Sequence, residues 1–157
     1  VEDCGLIREM ACVAFPDTYK TILSPEQLDY MMEWMYSEQS LQEQLCGGHV
    51  FYIASCDGEP CGYVSVERQG ERLFHLQKIY VLPRFQGCGA GAFLFRTAVA
   101  HVRALQPEAC RMELNVNRGN RALRFYEHMG MRRLREGDFP IGNGFYMNDY
   151  IMGLDLG

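Results

Sequence analysis

The sequence has no apolar run near the roughly 20 residues that a membrane-crossing helix needs, so no such helix is expected. It has no positively charged leader followed by an apolar stretch. It opens VEDCGLIREM, which reads as an amphipathic helix and not as a secretory signal. It has no C-x-x-C pair: its seven cysteines are an odd number and are scattered, so neither a zinc ribbon nor a disulfide framework is indicated. Reduced cysteines filling a core in a cytoplasmic setting are expected, with no metal. It lacks a basic excess, with 15 Lys and Arg against 20 Asp and Glu and a net charge of −5. That balance speaks against a nucleic-acid surface and fits solubility or a cationic partner. No repeat, linker or low-complexity tract interrupts it.

What is present is an ordinary globular mix of 48% apolar and 22% charged residues over 157 positions, read as one domain spanning 1–157. Asp3 is placed to cap a first helix whose inner face carries Leu6, Ile7, Met10 and Ala14. Ser24, Pro25 and Gln27 open a second helix as a capping box, and a shorter one runs from Ser37 to Leu45 before Gly47-Gly48. The period then shortens. HVFYIAS and CGYVSVE read as strands joined at Asp57-Gly58, and RLFHLQKIYVL as a third strand. A helix from Gly89 to about Gln106, the strand CRMELNV, a helix from Asn120 to Met129 and two strands near MRRLRE and GFYMNDYIMGLDL complete the chain. Helices, a meander and then alternating elements predict a mixed α+β fold around one sheet.

The stretch KIYVLPRFQGCGAGAFLF places Gly87, Gly89 and Gly91 between a strand and a helix. A helix N-terminus offers unpaired N–H groups, and glycines remove the side chains that would hold a phosphate away. Gly87, Gly89 and Ala92 formally fit the dinucleotide pattern G-x-G-x-x-[GA], with Glu113 downstream for a ribose. Too little chain follows Glu113 for the rest of a dinucleotide fold, and no Gly-Lys-[Ser/Thr] follows that would make a P-loop. The same residues fit Q/R-x-x-G-x-G/A through Gln86, Gly89 and Gly91.

With IYVLP upstream, LNVNRGNRALRFYEHMGM downstream and GFYMNDYIMGLDL at the end, the sequence resembles the GNAT superfamily of N-acetyltransferases from about Phe51 to Leu156. The resemblance implies a central, mostly antiparallel twisted sheet flanked by helices. In that family a strand precedes the first helix; this chain opens at the helix, so the first edge strand is expected to be missing. It also implies acetyl-CoA as co-substrate. The backbone from Gly87 through Cys88, Gly89, Ala90 and Gly91 to Ala92 would grip the pyrophosphate beside Gln86. The main chain of Ile79, Tyr80 and Val81 would pair with the pantetheine arm, the Ile79 N–H facing the thioester oxygen. Asn120 would bond the arm or cap its helix, and Tyr126 takes the family's acid position.

Acetyl transfer also needs a proton acceptor. The family's common acid site holds Gln77, which cannot serve. His75, two residues earlier, has an ordinary pKa near 6.5 suited to a base, and Glu113 on the neighbouring strand is a second candidate. A water relay remains open. A nucleophilic Cys88 is disfavoured, since the family transfers directly. Arginines 118, 121, 124, 132, 133 and 135 could reach the 3′-phosphate. Phe15, Tyr19, Tyr30, Trp34, Asp138 and Tyr146 could wall the acceptor pocket. The expected acceptor is a small primary amine, a polyamine first. A protein N-terminus or lysine, and a non-catalytic acetyl-CoA-binding module, are the alternatives. A homodimer through the closing strands is compatible with the pattern; nucleic acid and membrane are not expected partners.

Overall fold

The computed structural model describes residues 3–156. Three helices come first: α1 (Cys4–Tyr19), α2 (Pro25–Tyr36) and α3 (Glu38–Cys46). The meander β1 (Val50–Cys56), β2 (Glu59–Gly70) and β3 (Leu73–Val81) follows. Then come α4 (Ala90–Leu105), β4 (Cys110–Asn117), α5 (Ala122–His128), β5 (Arg132–Gly142) and β6 (Phe145–Leu156).

Local chemistry sets most of these boundaries. Ser24 is extended (φ −68°, ψ 156°) and its Oγ accepts from the Gln27 N–H, with Pro25 in the first turn. The reciprocal half of the expected capping box is absent, because the Gln27 amide donates instead to the Tyr146 carbonyl at 2.9 Å and ties α2 to β6. Asp3 stands at the start of α1 but makes no side-chain cap. Its ψ of 0° is not the extended geometry that turns a capping oxygen toward the next N–H groups. The β1–β2 turn has φ of 52° at Asp57 and 81° at Gly58, the paired positive angles of a tight hairpin. The same device recurs at Asn143 (53°) and Gly144 (78°). The two closing strands therefore form a long β5–β6 hairpin that turns at Asn143-Gly144.

The strands lie in the order β1-β2-β3-β4-β6-β5, every ladder antiparallel except β3–β4. Among the described residues no strand precedes α1, and β1 is an edge. One face of the sheet packs Phe74, Leu76, Met112 and Leu114 with Leu94 and Phe95 of α4. The other packs Tyr63 with Ile7 and Phe15 of α1, Tyr36 of α2 and Leu41 of α3. Each side chain so buried contributes about 1.5–3 kcal/mol.

A bulge interrupts β3. Pairing with β2 runs Ser65↔Lys78 and then Val66↔Leu76, so Gln77 is the extra residue. In a regular strand, residues 76 and 78 would share a face. Here Leu76 enters the core beneath α4, while the Lys78 ammonium lies 5.5 Å from the ring centres of Tyr36 and Phe51 on the opposite side.

Candidate active site

The β3–β4 ladder is short: Leu73↔Arg111, Phe74↔Met112 and His75↔Glu113. Beyond that rung the strands part, and a cleft of about 970 Å³ opens between them. Leu76 to Val81 of β3 and Leu114 to Val116 of β4 form its walls, with the end of α1 at one side. The Leu82 N–H bonds the Cys61 carbonyl of β2. Successive N–H groups of a strand alternate in direction. Those of Val81 and Ile79 therefore turn away from β2, into the cleft.

The glycine loop lies at the cleft's open end. Gly87 and Gly89 have φ of 86° and 87°, a left-handed backbone that side chains disfavour, and an added Cβ at either would meet nothing within 4 Å. The turn's conformation requires these two glycines, and it leaves open space over the first turn of α4. Gly91 is different: its φ is not left-handed, and an added Cβ would stand in ordinary contact with the Phe125 ring at 3.6 Å. Gln86 closes the loop by donating to the Val81 carbonyl at 3.2 Å. Gln86, Gly87, Gly89, Gly91 and Ala92 line the cleft. Ala90 packs into the core, and the exposed Cys88 thiol bonds the Phe85 carbonyl at 2.6 Å.

Tyr126, 7% exposed, also lines the cleft. Burial pushes its hydroxyl well above the ordinary phenol range, and neighbouring Tyr19 adds to the effect. Asn120 caps α5, its Oδ1 accepting from the Ala122 N–H at 2.9 Å. Only its Nδ2 is left to face the cleft, and Tyr19 contacts this side chain. Tyr19 reaches this place because α1 runs on through Pro16 in its last turn. Its hydroxyl is raised by burial, an effect opposed by hydrogen bonds with Tyr80 and Asn120.

The two expected bases do not line the cleft; they face each other at the last β3–β4 rung. Both Glu113 oxygens are engaged, Oε1 by Arg135 at 3.0 Å and Oε2 by Arg111 at 3.8 Å. For His75 the hydrogen bonds fix the tautomer. The Asn115 Nδ2 donates to Asp149 Oδ2 at 3.4 Å, so its Oδ1 faces His75 Nε2 at 3.0 Å and accepts a proton bond from it. The lone pair of a neutral His75 is then on Nδ1, which is buried without a partner and turned from the cleft. Burial also raises the carboxyl of Asp149, with Asn115 opposing.

The sequence reading missed the polar group around the bulge. Gln77, which lines the cleft, donates from Nε2 to Glu67 Oε1 on β2 at 2.9 Å. His49 Nε2 holds Glu67 Oε2 at 3.1 Å. Burial lowers His49, with Glu67 pulling the other way. Beside them Lys78 bonds Gln44 at 2.5 Å, and burial drops its ammonium pKa to about 8. None of this is visible without the cross-strand register.

Of the arginines, Arg118 pairs with Asp138 and Glu136, Arg132 with Asp155, Arg133 with Glu127 and Arg135 with Glu113. Arg121 lines the cleft and, among the described residues, pairs with no carboxylate. Of the expected acceptor residues, Phe15 and Tyr19 are buried, and Asp138 is committed to Arg118. Trp34 and Tyr146 are about half exposed at 48% and 55%, beside Tyr30, which stacks on Trp34. No metal-binding group of three or more ligands occurs among the described residues, and no described helix is long and apolar enough to cross a membrane.

Residues 8–131 match the model of the acetyltransferase (GNAT) family. An uncharacterized N-acetyltransferase of Mycobacterium tuberculosis is 32% identical over 153 residues, covering 94% of this chain and 96% of that one. The PaiA N-acetyltransferase of Thermoplasma acidophilum, solved with coenzyme A, superposes with a TM-score of 0.80 at 21% identity, covering 97% of this chain and 92% of that one. The ribosomal-protein-S18-alanine N-acetyltransferase of Escherichia coli gives 0.71 at 16% identity, covering 99% and 88%.

Proposed function

The chain belongs to the acetyltransferase (GNAT) family and is an acetyl-CoA-dependent acetyltransferase, and from that premise we propose which residues bind, which react and which amine is taken. The observation that carries the reading is the parting of β3 and β4 above His75 and Glu113, with residues of the glycine loop and Tyr126 both lining the cleft that opens there. The pyrophosphate sits on the N–H groups of the loop and of the first turn of α4, where the helix dipole favours negative charge. The pantetheine arm takes the place of a strand against β3, bonding the main chain of Ile79 and Val81 on either side of Tyr80. The Ile79 N–H receives the thioester oxygen as it gains charge. Arg121 answers the phosphates, and the Asn120 Nδ2 the arm.

Tyr126 stands where the sulfur leaves. Its raised pKa keeps it protonated at neutral pH. It gives a proton to the departing thiolate and recovers one from the acylated nitrogen, so the phenol relays charge and never stores it. Transfer is direct, with no acyl-enzyme on Cys88. The seven cysteines, all unpaired, suit a reducing cytoplasm.

The acceptor is a small primary amine, with a polyamine as first candidate. The overall charge of −5, the acids Asp29 and Glu33 of α2 and the exposed Trp34 and Tyr146 nearby all favour a cation. The test is amine-dependent thiol release from acetyl-CoA with spermidine, an alanine-terminated peptide and a lysine peptide run side by side. Spermidine should turn over, or else inhibit turnover of another amine. If it does neither, the polyamine assignment fails, and the productive peptide names the acceptor class.

A further inference from the structure

We propose that Glu67, on the strand beside the central one, takes the proton from the acceptor's ammonium. The inference rests on the acetyl-transfer reading and goes beyond it in naming the proton acceptor. The central strand offers no carboxylate at the cleft: the bulge presents Gln77 there, and an amide takes no proton at neutral pH. Gln77 instead fastens a carboxylate to the cleft wall, its Nε2 on Glu67 Oε1 at 2.9 Å. His49, just before β1, steadies the second oxygen at 3.1 Å. The carboxylate is thus oriented from two sides, and its side chain stays 27% exposed. Glu67 is not itself in the lining of the cleft but stands directly behind Gln77, which is.

The other carboxylates on this face, Glu113 and Asp149, are more deeply buried. Glu113 is 9% exposed, with an arginine on each oxygen. His75 directs Nε2 to Asn115 and buries Nδ1. Asp149 is 5% exposed. Lys78 lies against Tyr36 and Phe51 and bonds Gln44. The groups facing Glu67 are His49 just before β1, His75, Gln77 and Lys78 from β3, and Gln69 from its own strand, whose amide also bonds Oε1 at 3.3 Å.

The step balances as follows. The ammonium gives one proton to a Glu67 oxygen, and the freed lone pair forms the C–N bond at the thioester carbon while the carbonyl electrons move to oxygen. The carbonyl re-forms and the C–S bond breaks. The second nitrogen proton passes through the Tyr126 hydroxyl to the thiolate, and Glu67 releases its proton to water.

The experiment compares wild type, Glu67→Gln and the exchanged pair Glu67→Gln/Gln77→Glu, with an amine that the wild type acetylates. Glu67→Gln keeps a hydrogen bond to Gln77 and removes the carboxylate. Its kcat should fall about 10²-fold or more, with the acetyl-CoA Kd and Tm held, and its residual rate should climb with pH toward the amine's own pKa. The exchanged pair puts a carboxylate at the same junction and should recover at least tenfold over Glu67→Gln. A wild-type kcat and pH profile in Glu67→Gln, or a loss that the exchange does not repair, overturns the assignment while leaving the transfer reading intact. No thiol release from the wild type with any amine would overturn both.

Discussion

His75 faces Glu113 across the last paired rung of β3 and β4, and above that pair the strands separate to form the cleft. The two residues mark the apex of the opening. Arg111 of β4 and Arg135 of β5 pair with Glu113 there, so its charge is answered below the cleft.

Gly89→Val tests the loop. An added side chain at Gly89 meets no neighbour, so its cost comes from φ of 87° alone, about 1–2 kcal/mol if the backbone holds. The valine would also stand over the first turn of α4. Calorimetry should show acetyl-CoA binding weakened tenfold or more, with a modest fall in Tm.

Lys78 gives a pH signature in stability. Burial lowers its pKa from 10.5 to about 8, so its charged form is disfavoured in the folded chain. Above pH 8 the unfolded chain holds the proton that the folded chain has shed, and stability rises with pH; below pH 8 the penalty is fully present. The whole difference is roughly 3 kcal/mol at most. Lys78→Met should therefore stabilise at pH 7 and lose the rise between pH 8 and 10. The wild-type and variant curves must be compared below pH 10, because Tyr36, Tyr63 and Tyr80 carry strongly raised pKa values from burial. Above pH 10 such phenols ionise only on unfolding and lower stability in both proteins.

Arg121→Ala should raise the Kd for acetyl-CoA about tenfold, the worth of one charge-assisted contact in a partly open site. The difference should shrink at high salt. Equal binding by the variant would return Arg121 to the solvated surface.

Cys88 lies in the loop, exposed, with its thiol on the Phe85 carbonyl. Coenzyme A should protect it from maleimide labelling read by peptide mass spectrometry. Cys12 and Cys46, also exposed, should label at unchanged rates.

The fold was legible where local chemistry dictates it. Ser24 and Pro25 announce α2, Asp57-Gly58 the first hairpin, and Gly87 and Gly89 a turn that only glycines take easily. What stayed hidden depends on register. The bulge at Gln77 leaves no mark in the alternation of RLFHLQKIYVL, so nothing in the sequence tells that Lys78 is buried. Glu67 and Gln77 are ten residues apart, and nothing local says that they touch. The Asn143-Gly144 turn carries the same short-range signal as Asp57-Gly58 and closes the β5–β6 hairpin.

Acetyl transfer through this cleft is tested most directly at Tyr126, by measuring kcat and the acetyl-CoA Kd for Tyr126→Phe beside wild type. The phenylalanine keeps the ring against Phe125 and removes only the hydroxyl. The expected result is a kcat lower by about 10²–10⁴-fold, the usual share of acid–base catalysis, with Kd within twofold and Tm nearly unchanged. A variant that turns over at the wild-type rate, or one that loses stability and binding in place of rate, would contradict the assignment of Tyr126 as the proton donor to the leaving thiolate.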